Sequence, residues 1–216
     1  MLVLEEVFRA KKAEYPEHFN LRMQRSISWL KQSIDLDENL ELKILSLWIS
    51  LQALYVTSKI NQISHQEELC LFLKSLLQYD VEGKLERTLW GRLYSAIQTY
   101  LMSQYSRQSY WQYRHGQLTQ PEWQMQDLQE QQNCEQIFRH KDTAALLEIV
   151  FARLITLHTQ ILQGGITCKS QLQAELHELA SRILTTLLPV LILIMLEHGE
   201  CFSHSQQPFY PQVAVC

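Results

Sequence analysis

The residues best suited to chemistry lie between positions 153 and 165, where an arginine, a histidine and several amides share one short segment. An arginine can clamp a phosphate through its planar fork of N–H groups, and a histidine can transfer a proton near neutral pH. Metal-independent cleavage of a phosphodiester needs both roles. One hypothesis is therefore phosphodiester cleavage in which His158 moves protons while Arg153, or another arginine such as Arg139, holds the phosphate.

The spacing of this pair restricts the hypothesis. On a helix, the five steps from Arg153 to His158 turn the side chains by about 140°. They then flank opposite sides of an apolar stripe and do not converge on one phosphate within a single chain. Two symmetry-related copies could bring them together, so the alternative stays open. The stripe consists of Leu147, Val150, Leu154, Leu157 and Ile161.

One helix must carry all of these residues. Asp142 or Thr143 is suited to cap its start, and the apolar stripe predicts that it continues to about Leu162. Gly164 and Gly165 follow, and glycine readily adopts the left-handed conformation that ends a helix. The polar candidates therefore lie on the last turns of a helix and at its C-terminal end.

The composition favours helices throughout. The chain has 216 residues, of which 46% are hydrophobic, with only 6 glycines and 5 prolines. Apolar residues recur every three or four positions in 21–30 and 40–60. Further helices are expected at 67–78 and 85–104, and a last helical region is expected from about 167 to 196. Short connections between them predict an all-α antiparallel bundle, with residues 1–216 forming a single domain.

Residues 105–132 differ from the rest, because they hold nine glutamines and no sustained apolar stripe. We expect a long inter-helix excursion rich in aromatic side chains. Its rings could bind a partner or stack on bases, or they could cover the open end of the bundle. The candidates for partner binding are Tyr110, Trp111 and Trp123.

Charge, cysteines and histidines exclude several classes of function. The net charge of −4 opposes broad attraction to nucleic acid, so any RNA contact would be local. Five cysteines without a CxxC pair favour reduced thiols in the cytoplasm. The eight histidines show no ligand spacing, so we expect neither a metal nor a cofactor. We expect no secretory signal, because no positively charged segment followed by a short apolar run opens the chain. The apolar run 183–196 is shorter than the roughly 20 residues of a membrane span, so we expect a buried helix and no membrane association.

Three blocks of sequence resemble the HEPN superfamily, specifically its Apea-like branch. The first is Arg25–Leu30 followed by Leu47–Tyr55, the second is Leu146–Thr167, and the third runs from Leu187 to Pro211. Their order and spacing resemble the family from end to end. The resemblance implies a helix-rich homodimer related to ribonucleases of bacterial defence and toxin systems.

The resemblance also implies that the catalytic site has degenerated. His158, Thr159 and Gln163 stand at the arginine, asparagine and histidine positions of the family's RNxxxH motif, while Gln160 matches. Gln163 cannot transfer protons near neutral pH, because an amide does not titrate there. Gln52 stands where the family has an asparagine near the cleft. Arg153 matches an arginine ahead of the motif, for which the resemblance implies a structural or dimer-stabilising role.

Three functions follow as expectations. The first is a dimeric HEPN-like protein with a degenerate site that binds RNA or a protein in a bacterial defence or toxin–antitoxin-like system. The second is the active endoribonuclease that uses His158 with Arg153. The third is a structural dimer whose aromatic segment binds another protein without RNA.

Overall fold

The computed structural model describes residues 2–56, 64–169 and 171–203, and these form eleven α-helices without any β-strand. The predicted all-α class is confirmed. The sequence block at Tyr210 and Pro211 lies outside the described residues. The helices are α1 Leu2–Lys11, α2 Glu17–Gln32, α3 Leu40–Tyr55, α4 His65–Tyr79, α5 Lys84–Arg87, α6 Tyr94–Met102, α7 Gln108–Arg114, α8 Gln120–His140, α9 Thr143–Leu162, α10 Ala174–Glu197 and α11 Gly199–Ser203.

The contacts group the chain into two compact units. The first unit comprises residues 1–85 and 184–216, and the second comprises residues 86–183. The boundary at 183/184 falls inside α10, so one continuous helix contributes to both units. A continuous helix is compatible with one domain or two, and the single domain over 1–216 therefore stays a prediction.

In the first unit, α2 packs along α3. The side chain of Asn39 accepts a hydrogen bond from the backbone N–H of Leu42 and so begins α3. Ser26 and Ser50 are fully buried between the helices, and their hydroxyl groups lie 3.0 Å apart. The helix ends at Tyr55, whereas the apolar spacing predicted a helix to residue 60. Residues 57–63 lie outside the described part of the chain.

A buried arginine ties three helices of this unit together. Arg22 of α2 donates to the carbonyl oxygen of Leu54, at the end of α3, and to that of Phe202 in α11 at 3.1 Å. Burial lowers the pKa of Arg22 to about 10, against the opposing effect of the Glu68 carboxylate. The last carbonyl groups of a helix have no N–H partner within the helix. Arg22 provides the missing donors for the Leu54 carbonyl at the end of α3.

The second unit corrects the prediction of a long inter-helix excursion at 105–132, because most of this segment is helical. It contains α7 and the first thirteen residues of α8. Thr119 and Glu122 form a capping box at the start of α8, with 2.8 Å between the Thr119 N–H and the Glu122 carboxylate. Glutamine is a good helix former. The apolar stripe is weak because α8 buries few apolar residues, among them Cys134 and Ile137.

Among the described helices, α9 and α10 are long and apolar enough to cross a membrane. Core helices of soluble proteins meet the same criteria. Leu187, Leu188, Leu191 and Ile192 of α10 are fully buried inside the protein, as predicted for this run. Length and composition alone are therefore weak support for a membrane span.

The C-terminal end of α9 forms the predicted glycine turn. The Gly164 N–H donates to the Ile161 carbonyl at 3.2 Å, and the Gly165 N–H donates to the Gln160 carbonyl at 2.8 Å. These two bonds define a Schellman motif, in which the residue after the cap adopts a left-handed conformation. Gly164 does so with φ of +70°.

We expect Gly164→Ala to lower the free energy of unfolding by about 1 kcal/mol, because a Cβ atom strains the left-handed conformation. Chemical denaturation of native and variant protein measures the difference. Gly91→Ala is the matched control, since a Cβ there meets nothing within 4 Å and φ is not positive. Equal stability of the Gly164→Ala and Gly91→Ala variants would contradict the role of this turn.

Candidate functional site

The predicted site lies on the second half of α9 and at its C-terminal end. Asp142 caps the start of the helix by accepting a 3.0 Å hydrogen bond from the Ala145 N–H. Leu147, Val150, Leu154 and Leu157 are buried, and they hold α9 in the second unit. This anchoring fixes the positions of Arg153, His158, Thr159, Gln160 and Gln163.

Arg153 does not face an open cleft. Its residue surface is only 6% exposed, and its guanidinium forms an ion pair with Glu130 of α8. The Glu130 side chain is 31% exposed, so the pair lies at the edge of the buried region. If either charge were removed, the other would stay in the buried region without a counter-charge, which lowers the stability of the fold.

A second arginine lies in the same network. Arg107 is 2% exposed and forms an ion pair with Asp127, which also accepts a 2.7 Å hydrogen bond from Gln131. Burial lowers the pKa of Arg107, and the positive charge of Arg153 lowers it further, whereas Glu130 raises it. The two guanidinium groups and the two carboxylates balance in charge. This network, Arg107–Asp127 and Arg153–Glu130, is called the two-arginine network below.

Two neutral groups border the two-arginine network. Burial raises the pKa of the Cys134 thiol, although both arginines favour its thiolate. Burial also raises the pKa of Tyr100, and the Tyr100 hydroxyl is buried without a hydrogen-bond partner. Both groups are therefore neutral at physiological pH. The network thus offers neither a thiolate nucleophile nor a phenolate base.

His158 is half-buried, and burial lowers its pKa to about 4. The imidazole is therefore neutral at pH 7. A proton-transfer group works best when its pKa lies near the working pH. A base with a pKa of about 4 accepts a proton weakly, so this environment disfavours the hypothesis that His158 performs acid–base catalysis.

The other α9 candidates differ in exposure. Thr159 is half-buried, and its carbonyl accepts a 2.9 Å bond from the Gln163 N–H. Gln163 is exposed at the C-terminal cap of the helix. The amide nitrogen and oxygen of Gln160 are both buried without a hydrogen-bond partner. A buried amide without hydrogen bonds is destabilising, so a ligand or neighbouring group that supplies both a donor and an acceptor would bind to it favourably.

Gln52 belongs to the first unit, on α3. It is half-buried and forms a side-chain hydrogen bond with Tyr55, one turn further along the helix. Burial and the nearby Glu68 carboxylate raise the pKa of Tyr55. The Gln52 amide therefore stabilises a buried phenol within α3.

The aromatic candidates mainly contact each other. The rings of Tyr113 and Trp123 stack at 4.9 Å, and Tyr110 packs edge-on against Trp111 and Trp123 at 5.2 and 5.9 Å. Trp111 donates its indole N–H to the Tyr105 carbonyl at 2.9 Å. These contacts favour the interpretation that the rings cover the helices. Partner binding by Tyr110, Trp111 and Trp123 stays a prediction.

A polar groove of about 690 Å³ runs along α8, and it was not predicted from the sequence. Its walls carry no cation, and its one acidic residue is the Glu130 that pairs with Arg153. Such a lining offers hydrogen-bond donors and acceptors but no positive charge for phosphates. The lining residues are Gln126, Gln129, Glu130, Gln132, Asn133 and Gln136.

The described residues contain no group of three or more His, Cys, Asp or Glu side chains placed to hold a metal ion. The groups that sequence reasoning missed are Arg107, Asp127 and Glu130. A signal did exist, because Asp127, Gln131 and Cys134 repeat at helical spacing. It became visible only once residues 120–140 were known to be helical.

No protein-family model, no curated protein and no solved structure matches this chain. Membership of the HEPN superfamily therefore stays a prediction from the resemblance of the sequence blocks.

We expect Glu130→Gln to lower the free energy of unfolding by about 1 to 3 kcal/mol, because Arg153 would stay buried without its counter-charge. A double-mutant cycle with Arg153→Met measures the coupling, which should be at least about 1 kcal/mol. The exposed pair Lys31–Glu5, at 3.1 Å, provides the control. Glu5→Gln should change stability by less than about 1 kcal/mol. If the effects of Glu130→Gln and Arg153→Met on the free energy of unfolding were additive, the ion pair would not contribute to stability and this prediction would be wrong.

The depressed pKa of His158 predicts that acid destabilises the fold. The unfolded histidine has a pKa near 6.5, against about 4 in the folded chain. Between these values only the unfolded state binds the proton, so the stabilisation is complete above pH 6.5 and is lost as pH falls towards 4. The partly exposed ring is screened, and we expect a loss of about 1 to 2 kcal/mol. Denaturation at pH 7 and pH 4.5 should show a smaller difference for His158→Gln than for the native chain. An unchanged difference would contradict the depressed pKa.

Proposed function

We propose that this protein is a HEPN-like, non-catalytic binding component of a bacterial defence or toxin–antitoxin-like system. It acts in the cytoplasm as a homodimer. Its membership of the HEPN superfamily and its role in such a system are inferred from the sequence resemblance. The observation that carries the non-catalytic role is the buried ion pair of Arg153 with Glu130, since it occupies the arginine whose spacing from His158 suggested a phosphate clamp. The alternative clamp, Arg139, is exposed near the end of α8.

The state of His158 supports the same proposal. Cleavage of RNA without a metal needs a base that removes a proton from the ribose 2′-hydroxyl and an acid that protonates the leaving group. His158 with a pKa of about 4 is a weaker base than an ordinary histidine and is not protonated at neutral pH, and Gln163 is an exposed amide that does not titrate. Neither position provides the chemistry that the family motif requires.

Of the two ligands expected for a binding role, the geometry favours a protein. The groove on α8 is lined by five amides and one carboxylate, and the chain carries a net charge of −4. RNA binding depends on phosphate contacts with cations. Protein backbones, in contrast, provide the N–H and C=O groups that amide side chains bind.

Incubation of metal-free protein with a labelled mixed RNA tests the proposal. We expect no cleavage by the native chain and no effect of His158→Ala. The triple substitution His158→Arg, Thr159→Asn, Gln163→His restores the residues of the family motif, and cleavage by this variant alone would show that the chemistry was lost at these positions.

Filter retention of the same RNA at low and high salt provides the second measurement. We expect weak retention, because the described groove has no cation. Strong, salt-sensitive retention without cleavage would show that the ligand is RNA and not a protein. Cleavage by the native chain that His158→Ala abolishes would overturn the non-catalytic proposal.

A further inference from the structure

An open groove of about 580 Å³ in the first unit is lined by the end of α1, the start of α2 and the residues between them. Its volume is within the range of small-molecule sites, about 300–1,000 Å³. None of its residues belongs to the candidate site on α9 or to the groove on α8. The groove is called the α1–α2 groove below, and its lining residues are Arg9, Lys12, Ala13, Tyr15, Glu17 and Asn20.

Tyr15 forms a fixed wall of the α1–α2 groove. Its hydroxyl group donates to the carbonyl oxygen of Leu196 at 3.1 Å, and its ring packs edge-on against the ring of Phe19 with 4.9 Å between the centroids. The ring also lies against Gly199, where a Cβ atom would overlap it. This wall is therefore held in place by contacts within the protein.

One set of groups in the α1–α2 groove attracts anions. Arg9 and Lys12 are exposed and carry positive charges. Helix α2 has 16 residues and begins after Pro16, and no side chain caps its first N–H groups. The uncapped start of a helix binds carboxylates and phosphates, because its free N–H groups and its dipole are positive.

A second set of groups in the same groove requires a hydrogen-bond donor. Asn20 is 9% exposed, and its amide nitrogen donates to the carbonyl oxygens of Lys12 at 2.9 Å and Tyr15 at 2.8 Å. These two acceptors fix which end of the amide is the NH₂ group. The amide oxygen is buried and has no hydrogen-bond partner in the described part of the chain. Glu17 adds an exposed carboxylate, so the groove contains two acceptors beside its cations.

The two sets together restrict the chemistry of a ligand. A simple anion would leave the Asn20 oxygen without a donor, and the Glu17 carboxylate would repel it. Two cations and one carboxylate are complementary to a molecule with two carboxylates and one ammonium group. We propose that the α1–α2 groove binds a small dicarboxylic amino acid. Its carboxylates bind Arg9, Lys12 and the start of α2, and its ammonium group donates to Glu17 and to the Asn20 oxygen.

The ligand reaches the Asn20 oxygen through movement of the rim. Arg9, Lys12 and Glu17 are exposed, and exposed side chains change rotamer within picoseconds to nanoseconds. All of these residues belong to the first unit. The inference therefore does not rest on the proposed function, which concerns residues of α8 and α9.

Isothermal titration calorimetry of the full chain at low ionic strength tests the proposal with L-glutamate and glutarate. Glutarate has the same two carboxylates but no ammonium group. We expect L-glutamate to bind with a dissociation constant on the order of 0.1–1 mM and glutarate to bind at least about fivefold more weakly. Exposed cations alone would bind glutarate at least as tightly, because it carries the larger negative charge. That order of affinities, or no binding of L-glutamate, would overturn the proposal.

Two substitutions separate the roles of the charges. Arg9→Gln should weaken L-glutamate binding at least about fivefold, because a charge-assisted hydrogen bond is lost. Arg92→Gln is the matched control, since it removes the same charge from an exposed arginine of the second unit and should leave the affinity unchanged. Glu17→Gln should weaken L-glutamate and strengthen glutarate, because it removes both the ammonium acceptor and a charge that repels carboxylates.

Equal effects of Arg9→Gln and Arg92→Gln, or tighter binding of both ligands by Glu17→Gln, would also overturn the proposal. Nuclear magnetic resonance locates the ligand without a substitution. L-glutamate should shift the backbone N–H signals of Glu17 and His18, the first two residues of α2. Shifts confined to residues outside the α1–α2 groove would place the ligand elsewhere and contradict the inference.

Discussion

The second unit depends on one electrostatic constraint, which is that two guanidinium groups are buried close together. Arg107 and Arg153 are almost inaccessible to water, and each pairs with a carboxylate of α8. Buried ions without counter-charges are costly, so the helix that supplies Asp127 and Glu130 must lie in one register against α9. This constraint explains why a glutamine-rich segment with few buried apolar residues is nevertheless a 21-residue helix packed against the core.

The same constraint determines what the end of α9 can do. A phosphate that entered the network would compete with Glu130 for Arg153, and the carboxylate would then stay near it without a counter-charge. His158 is neutral, and Gln163 is exposed beyond the last turn. These side chains offer hydrogen bonds. In the proposed function, recognition by amide groups is the chemistry of this surface.

Local features of this fold could be predicted from the sequence, whereas features that join distant segments could not. The limits of α9 follow from Asp142 at one end and the glycine turn at the other, and both act within a few residues. The bond between Gln52 and Tyr55 is also local, one helical turn apart. Glu130 lies 23 residues from Arg153, and nothing near either residue indicates its partner. Apolar periodicity predicts an excursion at 105–132, whereas α8 is held by charges, which apolar periodicity does not detect.

Arg153 is a structural charge held by Glu130. Nuclear magnetic resonance spectra of the arginine side chains, recorded on isotope-labelled protein before and after addition of RNA, measure whether this charge is fixed. We expect the guanidinium group of Arg153 to exchange its protons slowly and to rotate slowly, as in a fixed ion pair, and we expect RNA to leave its signals unchanged. Fast exchange together with a large shift on addition of RNA would show an accessible phosphate-binding arginine and would refute the structural role of Arg153.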